Sequence, residues 1–387
     1  MPIHFEPSEL IARREATIKK LEAKGLDGIL MFKQESMYYL TGYDTFGFCF
    51  FQCLYLGVDG RYFLLTRAPD LRQAQHTSDI KDIKIWVDGE GVNPANDLKQ
   101  ALIKYGVSGK SPAKKLGCEY NAYGLSAAYG KILDDGLREV CELVDASTLV
   151  SELRVVKSEA EIKYVKRAAQ LADDAMDAAK QTARPGVFEG EILAAMQGAV
   201  FKGGGDYPAN EFIIGSGAGA LLCRYFSGRA TIGEQDQLTL EYAGAYRRYH
   251  ACLMQTFLTG HPSTEHVNMH SACSDAMQAC LDAIKPGESM ATVFSEHARV
   301  LDAAGYRDHR MNACGYSLGA MYSPIWMDFP MFYANNSFVM QTNNVFFVHI
   351  ILMNSDTGNS MTLGQTVRVT DNGVERLSRQ PTDLVVV

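Results

Sequence analysis

Residues 238–257, which read LTLEYAGAY, then Arg247-Arg248, then YHACLMQTF, constrain the fold more than any other stretch. Two apolar, β-prone runs flanking a polar pair read as a hairpin. With a side-chain period of two, Glu241, Ala243 and Ala245 fall on the same face as His250, Cys252 and Met254. A carboxylate, an imidazole and a thiol then share an otherwise apolar wall. Asp and Glu are almost never fully buried unless paired, so Glu241 has either a chemical task or a structural partner such as an arginine.

The chain around this hairpin divides in two. Its 387 residues exceed the usual size of a single domain. Up to about residue 150, apolar runs (GLDGILMF, CLYLGV, GRYFLLT, IKIWVD, KLGCEY) alternate with amphipathic stretches that end at Gly (PSELIARREATIKKLEAKG, PANDLKQALIKYG), the pattern of an α/β domain. The run FGFCFFQCLYLG at 46–57 is too short for a membrane helix and reads as a buried strand. A second domain opens where Ser158 and Glu161 have capping-box spacing. Ile162, Val165, Ala169, Ala172, Met176 and Ala179 then recur at steps of three and four before Arg184-Pro185-Gly186. Helices are expected near 187–202, 265–283 and 290–304, with strands at 210–215, 236–257 and 344–372, which is an α+β arrangement. The boundaries read as 1–152 and 153–387.

Several function classes fall away. A net charge of −8 and the lack of a basic, aromatic-interleaved stripe argue against nucleic acid. The charged N-terminus has no apolar core before a cleavage site, so a cytoplasmic location without membrane partners is expected. Nine Cys without a CxxC pair suit small buried hydrophobes better than disulfides or structural zinc. GSGAG at 215–219 lacks the spacing and following helix of a dinucleotide loop, so no such cofactor is expected. In GGGDYP at 203–208, Asp206 is either a turn residue or a polar contact. His349, alone on the strand NNVFFVHIILM, is by itself more often a core residue than a catalyst.

Taken together, MYYLTGYDT, VKSEAEIKYVKRAA, TLEYAGAYRRYHACLMQTF, GYSLG and TVRVTDNG resemble, in order, motifs of the pita-bread superfamily of creatinase, prolidase, aminopeptidase P and methionine aminopeptidase. The resemblance covers nearly the whole chain. It implies a creatinase-type α/β N-terminal domain followed by an α+β pita-bread catalytic domain, and MYYLTG is expected to close an N-terminal strand. The superfamily's metal peptidases place two Asp on the hairpin, a His in a Gly-His-x-x-Gly stretch and two further Glu. Those positions are held here by Glu241, Cys252, Tyr316, His349 and Gly364, with Gln365 beside the last. Two cations a few Å apart need bridging carboxylates to offset their repulsion, and Cys252 and Gly364 supply none. A dinuclear centre is therefore not expected, and neither a metal nor another cofactor is assigned.

GGDYPA, AG followed by RYH, and GYSLG resemble the metal-free ectoine hydrolase and creatinase branch. The creatinase base aligns with Arg224, and His349 stands where an apolar residue is expected. The implied activity is hydrolysis of a C–N bond, of amidine, guanidine or amide type, in a small zwitterion. Glu241 is the expected base or nucleophile, His349 and His250 the proton carriers, Tyr316 a hydroxyl donor to the tetrahedral centre, and Cys252 shares their wall. Arg224 is expected to grip a substrate carboxylate, with Asp206, Tyr207 and Tyr249 nearby. Homodimers are implied, with Phe46, Phe48 and Tyr43 lining the partner's pocket. Three readings remain beside this one: an Xaa-Pro dipeptidase-like enzyme, a mononuclear zinc hydrolase on Glu241, Cys252 and His349, and a member that binds a small molecule without turnover.

Overall fold

In the computed structural model, which describes residues 3–108 and 114–387, the strands Asp236–Tyr246 and Tyr249–Thr259 pair antiparallel. Arg247 and Arg248 form the two-residue turn at φ 49° and 68°. Positive φ at both central positions gives the tight turn that matches strand twist, but it is costly for side chains other than Gly, Asn or Asp. Neighbouring groups hold it. Asp206 Oδ2 accepts the Arg248 N–H at 3.0 Å, and the Arg247 guanidinium donates to the Tyr164 hydroxyl at 2.5 Å. The register pairs Glu241 with Met254, Ala243 with Cys252 and Ala245 with His250, so the expected common face is present.

The chain forms two compact units that divide after Arg154. That is two residues beyond the sequence-based boundary, because the short helix Leu149–Arg154 runs across it. In the first unit the strands β1 (Gly28–Met31), β2 (Cys53–Gly57), β3 (Tyr62–Arg67), β4 (Ile83–Trp86), β5 (Lys114–Cys118) and β6 (Cys141–Asp145) form one mixed sheet, ordered β4-β3-β2-β1-β5-β6. Two expectations fail here. MYYLT does not close a strand; it belongs to a helix, Gln34–Thr41. The buried Glu119 carboxylate anchors the approach to that helix, accepting the N–H groups of Phe32 and Lys33 at 3.1 and 2.9 Å and the Ser36 hydroxyl at 2.5 Å. The anchor comes from 83 to 87 residues away, so no local spacing announces it. The run 46–57 is a strand only over its second half: Gly47–Cys49 is a single 3₁₀ turn and Phe46 is 80% exposed.

The second unit begins with the helix Glu159–Thr182, capped reciprocally by Ser158 and Glu161 as the spacing requires. Its sheet comprises β7 (Ile213–Ser216), β8 (Asp236–Tyr246), β9 (Tyr249–Thr259), β10 (Ala313–Ser317), β11 (Asp328–Tyr333), β12 (Val345–Asn354) and β13 (Asn359–Thr370), with β14 (Gly373–Arg376) on β13 and β15 (Val385–Val386) on β9. The order is β11-β10-β12-β13-β9-β8-β7. One face is covered by helices. Leu238, Leu240 and Tyr242 pack with Ala172, Met176 and Met196 of the helices Glu159–Thr182 and Glu189–Lys202. Val348, Ile350 and Leu352 pack with Met269, Met277 and Val293 of Thr264–Ala283 and Met290–Ala303. Each such leucine, isoleucine, valine or methionine side chain contributes roughly 1.5–3 kcal/mol. Gly244 lets the first helix approach: a Cβ there would lie 2.1 Å from the Ala168 carbonyl oxygen. Because even-numbered residues of β8 and β12 face the helices, Glu241 and His349 face the other way.

Candidate active site

On that other face lies a cavity of about 360 Å³ whose walls include Glu241, Tyr316, Trp326, His349, Arg224 and Cys223. Ile213, Ile351 and three methionines (Met311, Met327 and Met331) make much of it apolar, and Asn210 and Asn312 add amides. Glu241 is buried there. Burial pushes its carboxyl up to about 7, against the opposing pull of the Tyr316 hydrogen bond and the Arg224 charge.

Tyr316 donates its hydroxyl to Glu241 Oε1 at 3.3 Å and accepts the Trp326 indole N–H at 2.8 Å. Its one proton is thus directed at the carboxylate and away from the open cavity. This differs from the expectation that Tyr316 donates to a tetrahedral centre. His349 lies beside it, ring centroids 5.7 Å apart. Burial lowers its imidazole to about 4, and among the described residues its Nδ1 has no hydrogen-bond partner. At neutral pH it is an uncharged polar group in the wall.

The structure separates several other expected site residues from this cavity. His250 sits four positions along β9 from Met254, with Nε2 accepting the Ala209 N–H at 2.9 Å and Nδ1 3.4 Å from the Gly319 carbonyl. That pattern needs a neutral ring, in keeping with burial lowering it to about 4. Both ring nitrogens are thus engaged within the fold. Tyr249 donates to Glu161 at 2.7 Å. Asp206 holds the hairpin turn. Tyr207 is 75% exposed and packs edge-on against Phe201. Cys252 shares the face of Glu241 but is buried outside the cavity wall, and burial pushes its thiol well above its ordinary value. Phe46 and Phe48 belong to the first unit, where Tyr43 is wholly buried and so presents no surface to a partner.

Sequence reasoning missed Trp326 and Cys223. Trp326 is one of only two tryptophans and lies ten residues past Tyr316, a weak signal.

The donor set does not fit a divalent metal centre. Among the described residues no three His, Cys, Asp or Glu side chains come together as metal ligands. At Gly364, opposite His349 in the β12–β13 register, an added Cβ would lie 2.5 Å from the Phe347 ring and 2.7 Å from Met254 Cβ. Phe347 and Met254 fill the space a carboxylate side chain would need. The neighbouring Gln365 pairs with Val348, whose side chain faces the helices, and so lies on the face away from the cavity.

The model of metallopeptidase family M24 matches residues 163–371, and that of the creatinase/prolidase N-terminal domain matches 13–156. The chain therefore belongs to family M24, and its fold is that of the pita-bread superfamily with a creatinase-type N-terminal domain. It is similar to the ectoine hydrolase of Halomonas elongata, 26% identical over 99% of this chain and 98% of that one. It is also similar to an Xaa-Pro dipeptidase of Pyrococcus horikoshii, 21% identical over 95% and 97%. The solved Xaa-Pro dipeptidase of Bacillus anthracis superposes with a TM-score of 0.84 at 20% identity, covering 98% of this chain and all of that one.

Proposed function

We propose that this chain is a hydrolase that opens a C–N bond of amidine, guanidine or amide type in a small zwitterionic nitrogen compound, without a metal ion. The observation that carries the reading is Glu241, among the described residues the one carboxylate in the wall of a largely apolar cavity, buried and oriented by Tyr316 and Trp326. A carboxylate near 7 takes a proton from water and gives it up again within one turnover at neutral pH. Glu241 Oε2 removes a proton from the water attacking the electrophilic carbon and returns it to the leaving nitrogen. Arg224, at the cavity wall, pairs with the substrate carboxylate through its planar fork. His349, uncharged at neutral pH, offers hydrogen bonding and is too weak a base to serve as an imidazolium acid.

The ectoine hydrolase relative supports a C–N substrate outside the peptide class. The dipeptidase relatives favour Xaa-Pro cleavage, but the positions that would bring a second carboxylate to the site are Cys252 and the sterically closed Gly364. We further propose a homodimer in which the exposed Phe46 of one copy approaches the pocket of the other.

The test is NMR detection of product from ectoine, creatine and Ala-Pro with the wild-type chain and E241Q. Turnover of a cyclic amidine or guanidino acid, lost in E241Q, is the expected result. Cleavage of Ala-Pro alone would instead establish a dipeptidase, and binding without product would overturn catalysis.

A further inference from the structure

Glu189 opens the helix Glu189–Lys202 and is fully buried. Its carboxylate grips both ends of one surface segment. Oε1 accepts the Ser216 N–H at 2.6 Å and the Ser216 hydroxyl at 2.7 Å, and Oε2 accepts the Ala230 N–H at 3.0 Å. The Glu189 N–H in turn donates to the Ala230 carbonyl at 2.9 Å.

Between those ends, residues 217–229 make one 3₁₀ stretch, Gly217–Leu221, and then run without regular structure past Cys223 and Arg224, both in the cavity wall. Among the described residues, backbone hydrogen bonds of the segment beyond Leu221 are few. Tyr225 N–H donates to the Leu222 carbonyl at 3.0 Å, and Ile214 N–H donates to the Tyr225 carbonyl at 3.0 Å. Leu222 and Phe226 are 52% and 53% exposed. Asp236 and Gln237 hold Gly217 and Ala220 is buried, but of residues 222–229 only Gly228 is buried, so that stretch takes its position largely from its ends. At those ends the carboxylate makes charge-assisted bonds, whose loss would leave the buried Ser216 N–H without an acceptor and release the Ala230 end.

We propose that Glu189 is a positioning residue, tying Ser216 to Ala230 and thereby holding the 217–229 segment, with Arg224 and Cys223, over Glu241. The proposal needs the cavity geometry and no assumption about the substrate. Cys223 reports the segment's height directly, because it is half-buried, while Cys49 is exposed and Cys252 is buried in the same chain.

The experiment is a time course of iodoacetamide labelling, read by peptide mass spectrometry as the ratio of the Cys223 rate to the Cys49 rate. E189Q turns one acceptor into a donor that faces an N–H, and is expected to raise that ratio about tenfold with Cys252 still unlabelled. S216A removes the hydroxyl bond alone, threatens folding least, and is expected to raise the ratio in the same direction by a smaller factor. An unchanged ratio in S216A and E189Q would overturn the proposal. So would labelling of Cys252 in step with Cys223, which would mean that Glu189 merely supports the fold.

Discussion

Tyr316 donates to Glu241 across 3.3 Å because the Trp326 indole, 2.8 Å away, occupies an acceptor site on the phenol oxygen. This hydrogen bond favours the ionised carboxylate and partly offsets the burial that raises it to about 7. The activity should therefore rise with pH along a limb centred near 7. Y316F is expected to move that limb toward higher pH by up to about one unit, and W326F to move it the same way by less. A pH profile of kcat/KM checks both, and an unmoved limb in Y316F would show that the phenol does not tune the carboxylate.

Removing the acid altogether separates function from stability. E241Q is expected to lower turnover by about 10²-fold or more if Glu241 is a positioned base. The folded chain binds the Glu241 proton more tightly than the unfolded chain does. The stability from this group is thus complete below pH 4.5 and is lost as the pH rises through about 7. At pH 8, E241Q should then be more stable than wild type by about 3 kcal/mol, with the gain vanishing near pH 4. Urea unfolding at the two pH values measures this.

The hairpin shows how much of the site was legible beforehand. Strand period alone places Glu241, Cys252 and His250 on one face, and the register agrees. Period says nothing of position along the strand, however, and so it could not tell that His250 lies toward the turn, bonded to Ala209, while Glu241 lies at the cavity. Tyr316 was legible from its motif, but Trp326 reaches it through the fold of 318–327 and not through any repeat. Likewise the helix Gln34–Thr41 depends on Glu119, and Cys223 reaches the cavity on a segment that Glu189 ties at both ends. Long-range carboxylates that satisfy backbone N–H groups leave no local trace in a sequence.

Three buried histidines pull stability the opposite way from Glu241. Burial lowers His250 and His349 to about 4 and His297 to about 3, and among the described residues both His297 ring nitrogens lack a hydrogen-bond partner. Each must be charged on unfolding in acid, so their contribution is full above pH 6.5 and is lost as the pH falls toward 4, by roughly 3 kcal/mol apiece. H297L should flatten the fall in stability between pH 6.5 and 4 by about one proton's worth of slope. Calorimetric midpoints across that range test it, and an unchanged slope would place His297 in contact with water.

Gly364 predicts a steric failure. An added Cβ meets the Phe347 ring at 2.5 Å, so G364A is expected to cost about 1–3 kcal/mol and G364E more. G364E is also expected to gain no affinity for Mn²⁺ or Zn²⁺. Thermal unfolding with and without each ion checks both statements, and metal-dependent stabilisation of G364E would show that the position can still host a ligand.

Hydrolysis by one buried carboxylate, as proposed, needs no metal ion. Elemental mass spectrometry of the active protein, purified without chelators, measures this. No stoichiometric transition metal is expected in preparations that turn over a C–N substrate. One or two ions per chain, with turnover that rises and falls with metal content, would contradict it.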